Sequence, residues 1–225
     1  MRGYLVDIIA VAFFALEWTV YVITLEHTAY GRDSLSARMN IYREVWVRNM
    51  LHRETRMVDM QIMASLQNGT AFFASTSLFA IGGALALLRS TNDAMAVLGA
   101  LPVDLTPSPA LWETKCVGLI LIFIYAFFKF AWAYRLFNYV CILLGAMPPA
   151  SERDTVEAEA HVIRTTRLFE SGGRHFNRGQ RAFFFALGYL GWFVSPWVLF
   201  ATTAAVVIVT WRRQFVSGAW KAMQN

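Results

Sequence analysis

Four apolar runs, Leu5–Leu25, Leu66–Leu88, Val117–Leu144 and Phe183–Trp211, leave this chain little choice of architecture. An α-helical bilayer crossing needs about 20 mainly apolar residues, and each run supplies them. Inside hydrocarbon every backbone N–H and C=O must be bonded within the protein, so uninterrupted runs of this length read as helices. The fold class expected is all-α: an integral membrane four-helix bundle, one domain over residues 1–225. Composition agrees, since only 16% of residues are charged, against about a quarter in soluble domains. The last two runs exceed the bilayer requirement and should tilt or protrude. Pro196 removes a backbone donor and is expected to kink the fourth run. The first run contains Glu17 and is followed by no small-x-small cleavage site before Arg32, which favours a retained span over a signal peptide.

Four crossings put both termini on one side. The connection between the first two runs carries Arg32, Arg38, Arg43, Arg48, Arg53 and Arg56. That between the last two carries Arg153, Arg164, Arg167, Arg174, Arg178 and Arg181. The opposite side has Arg2, Arg89, Lys115, Arg212, Arg213 and Lys221, half as many. Basic connections stay in the cytoplasm, so both termini are expected on the non-cytoplasmic side. The same placement accounts for the net charge of +5 without nucleic acid.

The two long connections read as amphipathic cytoplasmic helices. Residues 36–62 contain no Gly or Pro, with Ser36 as a cap and Met39, Tyr42, Trp46, Met50, Met57 and Met60 on one stripe. Residues 151–170 place acids first and arginines later, as a helix dipole prefers. Gly172–Gly173 is then expected to break the chain before the fourth run.

Within the stretch "LIFIYAFFKFAWAY", Lys129 lies 12 residues after Val117, and Glu17 lies 12 residues after Leu5. At helical rise each is about 18 Å below its helix start, on two helices that run in the same direction. A lone charge at mid-bilayer costs at least about 2.5 kcal/mol. Glu17 is therefore the natural partner of Lys129, within a chain or between protomers, with Arg135 as second candidate. Such a pair either handles an ion or proton, or pins helix register, and a lysine can also snorkel to the interface.

The second run is dense in polar groups, Gln67, Asn68, Thr70, Ser75, Thr76 and Ser77, with small residues four apart at Ala71/Ser75 and Gly82/Ala86. Such a helix faces protein, lining a polar path or packing tightly. It points to a homo-oligomer, with Gly188, Gly191 and Ser195 of the fourth run serving the same purpose. Arg174, His175, Arg178 and Arg181 cluster where the chain meets the membrane and are candidates for lipid head-group contact.

Other chemistry is thin. Cys116 and Cys141 are too far apart on one helix to bridge. Met57, Met60 and Met63 are apolar stripe before they are thioether ligands. The four histidines show no metal spacing, and no catalytic motif is present. No cofactor is expected.

Three segments together, "HRETRMVDMQIMASLQNGTAFFASTSLFAIGGALALL" (52–88), "FKFAWAYRLFNYVCILLGAMPP" (128–149) and "GQRAFFFALGYLGWFVSPW" (179–197), resemble the domain-of-unknown-function family 599. The resemblance covers residues 5 to 215 or so. It implies a small multi-span membrane protein of the kind found in bacteria and plants, here of a bacterial inner membrane, and carries no catalytic or ligand residues over. The expectation is a conduit or transporter for a small ion or solute, partnered by the bilayer and by copies of itself. The rival is a scaffold or accessory subunit whose cytoplasmic helices dock a protein partner, and an enzyme stands third.

Overall fold

The first apolar run forms one helix, α1 (Arg2–His27), and the chain then reverses through a four-residue helix, α2 (Ala29–Arg32). The reversal is tight. A Cβ on Gly31 would fall 2.1 Å from the Leu25 carbonyl oxygen, so only glycine fits there. The computed structural model describes residues 2–99 and 108–224. The side chain of Arg2, one of the cations that set the expected orientation, lies outside the described residues.

After α2 come α3 (Leu35–Met50), α4 (Met57–Arg89), α5 (Thr91–Gly99) and α6 (Pro109–Gly145). A 3-10 turn (Ala150–Glu152) leads into α7 (Val156–Tyr189), α8 (Gly191–Val194), α9 (Pro196–Phe215) and α10 (Gly218–Ala222). The fold is all-α, with no strand among the described residues. Among the described residues three helices, α1, α4 and α6, are long and apolar enough to cross a membrane. At 33 and 37 residues, α4 and α6 are about 50 and 55 Å long, well beyond the hydrocarbon thickness of about 30 Å.

Several helix starts are written locally. Ser108 accepts the Leu111 N–H and Ser195 accepts the Val198 N–H, each followed by a proline in the first helical position. Serine caps an orphan donor there, and proline lacks the N–H that would be orphaned. Pro196 therefore opens α9 rather than kinking a longer helix, and the run 183–211 is interrupted between Tyr189 and Pro196.

Two further expectations are corrected. The helix expected over 36–62 ends at Met50 and restarts at Met57, although no Gly or Pro intervenes. Tertiary bonds hold this corner: the Arg56 guanidinium donates to the carbonyls of Met50, Met147 and Pro148. Trp46 and Arg53 both reach Asp59, the former at 2.7 Å. The stripe read for that helix does not form a single buried face, since Met50 is buried while Met39, Tyr42, Met57 and Met60 are exposed. Gly172–Gly173, in turn, does not break α7, which begins at Val156 under a Thr155 cap and runs to Tyr189. The two glycines are packing sites, where a Cβ would strike the Phe137 ring and the Arg43 guanidinium.

The chain divides into two compact units. The first gathers Met1–Leu35, Ser77–Tyr125 and Arg181–Asn225. Its core is aromatic: Trp18 stacks on Phe185 at 5.2 Å and Phe14 meets Phe185 and Tyr189 edge-on. α9 lies along α1 through Phe13 and Phe200. The second unit gathers Ser36–Thr76 and Ala126–Gln180. Its core joins Val47, Met50 and Leu51 to Met63, Phe137, Val140, Leu144, Val162 and Phe169.

Candidate functional site

The most deeply buried charges of the first unit are not those singled out by sequence. Asp7 on α1 is 8% exposed and Lys115 on α6 is 3% exposed. Both touch Trp192 on α8. Its indole N–H donates to the Asp7 carboxylate at 2.6 Å, and its ring face lies 5.4 Å from the Lys115 ammonium. Asp7 is the acidic neighbour of Lys115, yet the two charges form no direct bridge, and among the described residues the ammonium has no hydrogen-bond acceptor. A desolvated cation over a tryptophan face is held by about 2 kcal/mol or more. The rest of its compensation comes from the Asp7 charge through a low-dielectric interior.

Local sequence explains the placement. The α7–α9 interruption turns Trp192 inward, and Ser195 with Pro196 fixes the turn. Trp112 ties the start of α6 to the end of α4 by donating to the Leu87 carbonyl, and it meets Phe193 edge-on. Just below, Tyr189 touches Trp192, and its hydroxyl occupies the space a Cβ on Gly118 would need. At the other end of α1, Glu26 and Arg181 form an ion pair at 2.6 Å.

The sequence-chosen residues fare variously. Glu17 is half-buried in the first unit and Lys129 half-buried in the second. Arg135 is exposed, donating to the Tyr139 hydroxyl and lying over the Trp132 and Tyr139 rings.

The six polar residues of α4 split between faces. Gln67, Thr70 and Ser77 turn inward: Gln67 donates to the Asn138 side chain, and the Thr70 hydroxyl to the Leu66 carbonyl. Asn68 and Ser75 are exposed, and Thr76 bonds back to Phe72.

Of the basic cluster, Arg174 bonds Glu170 at 3.5 Å and His175 meets Trp132 edge-on, whereas Arg181 belongs with Glu26 in the first unit. Nearby in the second unit, burial pushes the Arg43 guanidinium below its ordinary value; Glu170 opposes this and Arg174 adds to it.

Sequence reasoning missed Asp7, Lys115 and Trp192. The signal was present: Asp7 falls two residues after Leu5 and Lys115 two before Val117. Both therefore lie at the same end of two helices expected to run in parallel. By sequence Lys115 counts toward orientation, and Asp7 stands at the edge of the first run. Asp59, 1% exposed and bonded to Trp46 and Arg53, is likewise inconspicuous in sequence. Among the described residues no group of three or more His, Cys, Asp or Glu is placed to hold a metal. Met63 is fully buried while Met57 and Met60 are exposed, so the three thioethers do not converge.

A family model described as a protein of unknown function, DUF599, matches residues 9–219. Neither a curated protein nor a solved structure matches the chain.

Proposed function

The chain belongs to the DUF599 family, and on that premise we propose that it is an integral protein of a bacterial inner membrane that passes a small ion or proton. One observation carries this reading: Asp7 and Lys115, each more than nine-tenths buried, both contact Trp192 and form no direct bridge. A pair that serves only to fix register gains most from direct contact. Charges buried at a membrane-crossing helix and left short of contact suit exchange with a mobile ion.

In this reading α9, whose 20 residues span about 30 Å, is the fourth crossing helix, and both termini face away from the cytoplasm. The second unit gathers most of both arginine-rich connections, which supports that orientation. Glu17 adds charge in the first unit and Lys129 in the second, and the inward residues Gln67, Thr70 and Ser77 of α4 add polarity. Gly82 and Gly83 of α4 have open space where a Cβ would stand, which supports association with further copies.

The scaffold reading has its own observation. Gln67 of α4 donates to Asn138 of α6, the helix-to-helix packing expected if α4 holds partners together.

Ion and proton flux through purified protein in sealed liposomes separates the two readings, comparing wild type with Lys115→Met and Lys129→Met. Flux lost in folded Lys115→Met supports the conduit. No flux from well-reconstituted wild type over a range of ions turns the reading to a scaffold.

A further inference from the structure

On the second unit's part of α6, Trp132, Tyr134 and Tyr139 all face outward, 46%, 39% and 37% exposed. Tryptophan and tyrosine collect at the membrane–water boundary, where the ring is apolar and its N–H or O–H is wet. Arg135 is folded over this belt, 5.9 Å from the Trp132 ring and 5.6 Å from the Tyr139 ring, with its Nε donating to the Tyr139 hydroxyl at 2.6 Å. Its remaining N–H groups are left for acceptors at the same depth.

α7 brings more positive charge to that level. His175 meets Trp132 with ring centroids 6.4 Å apart. Gly179 backs onto Phe130 and Gly172 onto Phe137, so this stretch of α7 runs beside the belt stretch of α6. Arg174 and Arg178 therefore lie at belt depth, one residue before His175 and three after it. Among the described residues the carboxylate bonded to Arg174 is that of Glu170, at 3.5 Å. Arg43, whose guanidinium lies against Gly173, adds a further cation beside it. Guanidinium groups gathered at an aromatic belt match the chemistry of a phosphate diester at the bilayer surface.

We propose that Trp132, Arg135, Arg174, His175 and Arg178 form a binding site for the phosphate of an anionic phospholipid. This site does not depend on transport. It requires only that α6 crosses the bilayer. The juxtaposition that carries it is Trp132, with Arg135 over one side and His175 at its edge.

The test uses the purified full-length chain in maltoside micelles, titrated with fluorescent phosphatidylglycerol or fluorescent phosphatidylcholine. Saturable binding of phosphatidylglycerol is expected, at least about tenfold tighter than phosphatidylcholine. The double variant Arg174→Gln/Arg178→Gln should lose about tenfold or more, and Arg174→Lys/Arg178→Lys should keep most of the binding. Arg164→Gln/Arg167→Gln, nearer the start of α7, should change little. Equal binding of the two lipids by wild type, a comparison that needs no variant to fold, overturns the proposal. So does an equal loss from the 164/167 pair. Displacement of the lipid by inorganic phosphate at matched concentration overturns it too, because the site would then belong to a soluble anion.

Discussion

Glu26 near the end of α1 and Arg181 on α7 meet at 2.6 Å, with 12% and 13% of their side chains exposed. Removing one partner of a buried pair strands the other charge, which costs about 3–5 kcal/mol. Arg181→Gln is therefore expected to lower unfolding stability by about 3 kcal/mol. Glu26→Gln/Arg181→Gln together should cost clearly less than the sum of the single changes. Denaturant unfolding of the purified protein reads both, and strict additivity would show that the pair is not what holds the two helices.

Trp192 does two jobs that substitutions can separate. Trp192→Phe removes the donor to Asp7 but keeps a ring for Lys115, at a cost of about 1–3 kcal/mol. Trp192→Leu also removes the ring face and should cost about 2 kcal/mol more. Thermal unfolding that finds the two variants alike would mean the ring contributes nothing to holding Lys115.

Gly118 and Tyr189 form a lock-and-key contact. The Cβ of Gly118→Ala would lie 2.0 Å from the Tyr189 hydroxyl oxygen, and overpacking of this kind costs about 1–3 kcal/mol. Tyr189→Phe removes the nearest obstructing atom, leaving the ring carbon at 2.8 Å. The double variant is therefore predicted to be more stable than Gly118→Ala alone, by thermal unfolding. A double variant less stable than Gly118→Ala would place the strain elsewhere.

How far did the amino-acid sequence reach? Three of the four apolar runs appear as long helices because their signal is many residues deep and redundant. The interruptions were less legible, because they depend on contacts distant in sequence. Arg56 finds the carbonyls of Met147 and Pro148 across 91 and 92 positions, and it ends a stretch whose own residues favour helix. Gly172–Gly173 looks like a break by propensity, but the ring of Phe137 and the guanidinium of Arg43 need bare backbone there. Glu17 and Lys129 stand in mid-run, where the hydrophobic background makes a charge conspicuous. Asp7 and Lys115 sit near helix starts, where a charge is unremarkable until burial reveals it.

Arg48 and Glu159 bond through two contacts, the shorter at 2.6 Å. The hydrogen bond from Arg48, with its charge, holds the Glu159 carboxyl below the usual range, and the same contact raises Arg48. Arg48 stays cationic throughout, so Glu159 sets the window. A lowered folded value means the contribution is complete above the ordinary glutamate value of about 4.3 and fades as pH falls through the folded value. Unfolding temperature measured against pH should drop on acidification in wild type, and part of that drop should vanish in Glu159→Gln. Identical profiles would remove this pair from the acid response.

For Glu17 and Lys129, the expectation is coupling. Glu17→Gln and Lys129→Met should each destabilise, and the double change should cost less than their sum by about 0.5 kcal/mol or more. Unfolding in micelles measures it, and simple additivity would sink the pairing.

Gly172, Gly173 and Gly179 are three notches cut into one continuous α7, filled by Phe137, Arg43 and Phe130. Notches at fixed positions index a rod: sliding α7 by one turn, about 5.4 Å, would drive two rings and a guanidinium against side chains where the glycines now leave room. Motion within the second unit is thereby restricted to swinging or flexing of the helices, and a ratchet along the α7 axis is mechanically barred.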